Sequence, residues 1–181
     1  MFEFLADLPG IRPIWIGFRA SKNEVDYHSQ CRKGEENMGV TIWNKNRSVE
    51  CGYAGFINLK QTVADLTSPE IGAFYRKLFN AAPSCVLERA EFFEQYGEEL
   101  KALNDRLKKE PKKLRILDFL YQSDCDGKVD VWTCRAIWDV VKDYDDDYCY
   151  GYAGRPDCMM WSDFKQIVQD CIETKTPLRW G

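Results

Sequence analysis

Side-chain and main-chain oxygens recur at every second residue through YQSDCDGKVDVWT, residues 121–133, the spacing by which one loop wraps a hard divalent cation. With Gly127 at the sharp sixth position, Gln122, Asp124 and Asp126 fall at positions one, three and five. Lys128 offers its carbonyl at seven, Asp130 stands at nine and Thr133 at twelve. Asp124, Asp126 and Asp130 are therefore the candidate metal ligands, and calcium the candidate ion. Two donors are missing: Gln replaces a carboxylate at the first position, and Thr replaces the bidentate glutamate at the last. Calcium takes about six to eight oxygens and its affinity follows ligand charge, so the expectation is a loop that folds without metal and binds calcium weakly if at all.

A second group of chemically capable residues is DYHSQC. Asp26, His28 and Cys31 are the residue types of a thiol nucleophile with its base and orienting carboxylate. On a strand Asp26 and His28 share a face while Cys31 points the other way, so the three do not assemble locally. His28 is the one histidine of the chain. Phosphate-binding glycine loops and the common hydrolase motifs do not occur, and a non-enzymatic protein is the expectation.

The elements that position these residues change character along the chain. RPIWIGFR (12–19), GVTIW (39–43) and SVECGYAGFI (48–57) are rich in β-branched and aromatic residues and predict an antiparallel meander. Strict alternation puts Val40 and Ile42 on one face and Thr41 and Trp43 on the other. Trp15, Arg19 and Trp43 then lie on the face opposite the core. With His28 they form a candidate site for stacking and charge-pairing a nucleotide-like small molecule.

From about residue 60 the period becomes helical. Ser68-Pro69 marks a helix start, and a second helix is expected over 85–108, weakened at Gly97. Pro111 within KKEPKK suggests a boundary, giving an α+β domain over 1–110 and a helical lobe over 111–181. Three helices follow, around LRILDFLY, TCRAIWDVVKDY and DFKQIVQDCIE. The first two, with the loop between them, resemble an EF-hand, and MMWSDF aligned on VDVWTC places Met159 beside Val129 as the bridge of a degenerate EF-hand pair. YGYAGRPDC reads as a stiff turn with accessible tyrosine rings, and its Arg155 is a candidate ligand for a carboxylate or phosphate. The overall expectation is an α+β fold with a small N-terminal antiparallel sheet packed by helices, plus an EF-hand-like C-terminal lobe.

SDCDGK, YDDDYCYGYAGRPDC and the terminal RW also resemble an uncharacterised protein family of gut Firmicutes and their phages, over roughly residues 114–181. The resemblance supplies no activity and no catalytic residues. It implies a phage or prophage accessory factor that blocks or sequesters a host component.

Charge and cysteine content narrow the partners. Residues 1–115 carry a net +2 and residues 116–181 a net −6, which argues against broad DNA binding. No apolar run is long enough to span a bilayer, and the opening residues have no basic start followed by an apolar stretch, so a cytoplasmic protein is expected. The eight cysteines are then read as small buried hydrophobes, because the nine-residue spacings 125/134 and 149/158 are too wide for zinc knuckles. The partner is expected to be a protein or a nucleotide-like small molecule.

Overall fold

A computed structural model describes residues 39–80, 86–124, 126–152 and 158–181. Trp15, Arg19, His28, Arg155 and the first expected strand lie outside the described residues. The described chain is an α+β fold. β1 (Gly39–Trp43) and β2 (Ser48–Gly52) are followed by α1 (Tyr53–Thr67), α2 (Pro69–Asn80) and α3 (Val86–Arg106). A 3-10 turn (Leu107–Lys109) leads to α4 (Pro111–Tyr121), β3 (Gly127–Val129), α5 (Val131–Val141), α6 (Trp161–Thr174) and β4 (Leu178–Trp180).

The alternation expected for β1 is present: Val40 and Ile42 are buried, while Thr41 and Trp43 are half-buried. β2 departs from expectation because the strand stops at Gly52 and the rest of SVECGYAGFI is the first turn of α1. Phe56, Leu59, Lys60, Val63 and Ala64 are all buried along that helix, a spacing of three and four that strand geometry cannot satisfy. The close approach of another chain segment fixes the changeover. The Gly52 N–H donates to the Tyr150 carbonyl at 2.9 Å, and a Cβ on Gly55 would lie 1.8 Å from that same oxygen.

The sheet is antiparallel, in the order β2-β1-β4-β3. β1 and β2 come from the start of the described chain and β4 from its end, with β3 between them in sequence, and one buried cluster runs from Val40 to Trp180. The division at residue 110 therefore does not divide the core. Pro111 opens α4, where its missing N–H costs nothing, and only Glu110 separates it from the preceding turn. The bridge is corrected too: Val129 pairs with Leu178 of β4, and Met160 pairs with Cys149. Three residues of alternating burial, Leu178-Arg179-Trp180, suffice for β4 because Trp180 is driven into the core.

At the centre of that core, Phe56 of α1 and Phe119 of α4 pack on the Trp180 ring, with centroids 5.8 and 5.4 Å away. Gly127 must be glycine, since a Cβ there would meet the Trp180 ring at 2.0 Å. Cys51, Cys134 and Cys171 are buried free thiols, and burial pushes the Cys51 thiol up to about 12. Cys149 and Cys158 depart from that expectation and form a disulfide. Cys149 pairs with Met160 in an antiparallel bridge, which places Cys158 near it, and the two cysteine Cα atoms lie 6.1 Å apart, within disulfide reach.

Candidate functional site

The loop between α4 and α5 is held by hydrogen bonds within the protein. The Lys128 N–H donates to Gln122 Oε1 at 2.8 Å, and Trp180 Nε1 donates to the Ser123 carbonyl at 2.8 Å. Of the three candidate carboxylates, two are already engaged. Asp124 Oδ1 accepts from Lys60 Nζ at 2.6 Å. Asp130 caps α5, accepting from the Thr133 N–H at 2.7 Å, and pairs with Arg115 at 3.3 Å. Burial alone would raise the Asp130 carboxyl, but the hydrogen bonds from Thr133 and the Arg115 charge outweigh it and hold the group below its usual value. Asp126 is exposed.

These commitments decide the fit to calcium. A cation at the loop would have to take Asp124 from an ammonium and Asp130 from a helix terminus, with no glutamate at the twelfth position in return. The donor set does not fit the ion. Among the described residues, no group of three or more His, Cys, Asp or Glu is arranged to hold a metal.

Lys60 was not singled out from the sequence. It stands within the Phe56, Leu59, Val63 stripe of α1, where a cation signals either a surface position or a paired interior one. Its side chain is fully buried, and Nζ also donates to the Gln122 carbonyl at 3.0 Å. The ammonium lies over the rings of Phe56, Trp180 and Phe119, at 4.8, 5.4 and 5.7 Å from their centroids.

Trp43 is the one residue of the nucleotide-like site that falls within the described chain. It borders an open depression of about 430 Å³ at the β1–β2 turn, together with Thr41, Asn44, Lys45, Asn46, Arg47 and Ser48. Asn44 holds that turn: its Oδ1 accepts from the Asn46 and Arg47 N–H groups, both at 2.8 Å. Arg47 pairs with Asp170 at 3.0 Å.

Exposed aromatic and acidic side chains come together after α5. Residues 143–148, DYDDDY, take no regular secondary structure, yet their backbone and rings are tied down. The Tyr144 carbonyl accepts from Trp161 Nε1 at 2.8 Å and from Lys165 Nζ at 3.2 Å, while its ring stands edge-on to Trp161 at 5.5 Å. Asp146 accepts the Tyr148 N–H at 3.1 Å and the Tyr150 hydroxyl at 2.9 Å. Tyr148 packs edge-on to Tyr150 at 4.9 Å and bonds Asn58 Nδ2 through its phenol oxygen at 3.0 Å, but remains 51% exposed. Asp143, Asp145 and Asp147 are exposed beside the rings, Asp145 pairing with Lys165 at 2.7 Å. Exposed tyrosines therefore precede the YGYAGRPDC segment, in which Tyr150 is buried and Tyr152 half-buried, and the stiff turn expected there falls on residues 153–157, outside the described residues. DYDDDY is legible in the sequence as a charged aromatic run; what sequence reasoning could not supply was its anchorage on Trp161 and Asn58.

Comparison with protein-family models, with curated proteins and with solved structures returns no match for this chain.

Proposed function

We propose that the chain is a non-catalytic interaction protein that binds a cationic protein partner through residues 143–148, and that it acts by blocking or sequestering that partner. The observation that carries this reading is Tyr148: half-exposed, held at both its backbone and its phenol, and flanked by the exposed Asp143 and Asp147, with Asp145 paired to Lys165 at 2.7 Å between them. A ring already fixed in place loses little entropy on binding, and tyrosine is enriched where interfaces concentrate their affinity. The surrounding carboxylates complement lysine and arginine, in keeping with the net −6 of residues 116–181. A phage or prophage accessory factor acting on a host component is a biological setting consistent with this surface.

The test is capture of partners from expressing cells by wild type and by Tyr148→Ser and Asp143→Asn/Asp147→Asn variants. The proposal expects a captured protein that is lost from both variants, with wild-type capture weakening as salt is raised. Capture unaffected by either variant and by salt would refute it.

A second reading has one observation in its favour. The depression at the β1–β2 turn sets Trp43 beside Lys45, a stacking ring with a cation, which suits a nucleotide-like anion, while Arg47 on the same turn is paired with Asp170. Quenching of tryptophan emission by a nucleotide panel, absent in Trp43→Phe, would establish it.

For the compartment, no helix among the described residues is long and apolar enough to cross a membrane. The cytoplasm is the proposed location, and the Cys149–Cys158 disulfide is the observation that weighs against it, because cytosolic thiols are kept reduced. Alkylation of the protein as isolated, before any reductant, decides between them. Labelling of Cys149 and Cys158 places it in a reducing compartment, and their protection in an oxidising one.

A further inference from the structure

We infer that the ammonium of Lys60 is the permanent cation of the 122–130 loop and closes that loop to divalent metal. The loop presents an electronegative inner edge, made by the Gln122 carbonyl and the Asp124 carboxylate. Both oxygens face one donor, Lys60 Nζ, at 3.0 and 2.6 Å. That donor comes from α1, 64 residues before Asp124 in the chain, so it is placed by the tertiary fold and does not depend on the loop's own conformation.

A wholly buried ammonium is costly unless its lost hydration is replaced. The replacement is visible in kind. One carboxylate and one carbonyl supply oxygens, and the faces of Phe56, Trp180 and Phe119 supply negative π density around the same nitrogen. Trp180 ties the arrangement to the loop twice, since its indole N–H also donates to the Ser123 carbonyl and its ring leaves no room for a side chain at Gly127. The loop is thus closed by a cation carried on the chain. A metal ion approaching Asp124 would meet a fixed positive charge and find the carboxylate already neutralised.

Two consequences distinguish this from an ordinary ion pair. Wild type should be indifferent to calcium, and removal of the ammonium should release Asp124 and the Gln122 carbonyl to an external cation. The experiment is thermal melting of wild type, Lys60→Met and Lys60→Met/Asp124→Asn, each in chelator and in millimolar calcium. Wild type is expected to melt at the same temperature in both. Lys60→Met should melt roughly 10 °C lower in chelator, the scale set by breaking a buried pair in a chain of this size. Calcium should restore part of that loss in Lys60→Met and none of it in the double variant.

A wild-type melt that rises with calcium overturns the inference, as does a folded Lys60→Met protein that ignores calcium. If Lys60→Met does not fold in either condition, Asp124→Asn decides. With its ammonium deprived of the carboxylate it must melt below wild type, and equal melting temperatures overturn the inference.

Discussion

Asp130 shows how one carboxylate can satisfy a loop pattern and yet belong to a helix. Its hydrogen bonds to Thr133 depress its titration, so the stabilisation it gives is present above the unfolded value of about 3.8 and is lost as pH falls through the lower folded value. Asp130→Ala should therefore cost about 1 kcal/mol at neutral pH, the usual worth of a helix cap. Below that window the difference from wild type should close, which urea melts at about pH 7 and pH 2 will read out. The alternating acids 124, 126 and 130 were legible in the sequence; their occupation was not. Asp124 is taken by Lys60, a residue from a different helix, and no local spacing encodes which lysine of a chain will reach which acid. The aromatic cluster of Tyr75, Tyr96 and Tyr121 makes the same point. The Tyr96 and Tyr121 hydroxyls bond each other at 2.9 Å, and burial pushes all three phenols above their usual range, although the three lie on three separate helices.

Between elements, close backbone approaches outweigh intrinsic preference, and two helical glycines separate the effects. Gly55→Ala brings a Cβ against the Tyr150 carbonyl, a backbone atom that cannot swing aside, and should cost about 2 kcal/mol or more despite alanine's better helix propensity. Gly97→Ala, with nothing within 4 Å of the new Cβ, should gain about 0.5–1 kcal/mol. Chemical denaturation of the two variants beside wild type gives both signs in one experiment. The 149–158 disulfide closes a short loop onto the strand-like bridge at Met160. Reduction, or Cys158→Ser, should lower stability by about 2.5 kcal/mol and the melting temperature by roughly 5–10 °C. Helix positions were legible from apolar periodicity, as at Ile71 and Tyr75 of α2 or Leu100 and Leu103 of α3. The start of α1 was not, because Val49 to Ile57 reads equally well as a strand until Tyr150 is seen to fill the space beside Gly52 and Gly55. β4 escaped notice for a related reason: a three-residue strand carries too little pattern to be recognised without the Trp180 pocket it fills.

Across the whole molecule, the C-terminal strand enters between β1 and β3 and ties the beginning of the described chain to its end. The loop at 122–130 is one seam of that closure, held by Lys60 and Trp180, and its chemistry has been turned inward. The surface beside α6 is the opposite case, with rings and carboxylates anchored from below and directed outward. Recognition by residues 143–148 is the central claim, and site-specific photocrosslinking measures it most directly. A photoreactive phenylalanine analogue at position 148, and in a separate protein at the exposed position 91 of α3, would be irradiated in expressing cells. The expected result is a discrete covalent adduct to a basic protein from position 148 and none from position 91. Adducts that are the same from both positions, or an adduct from 91 alone, would contradict it.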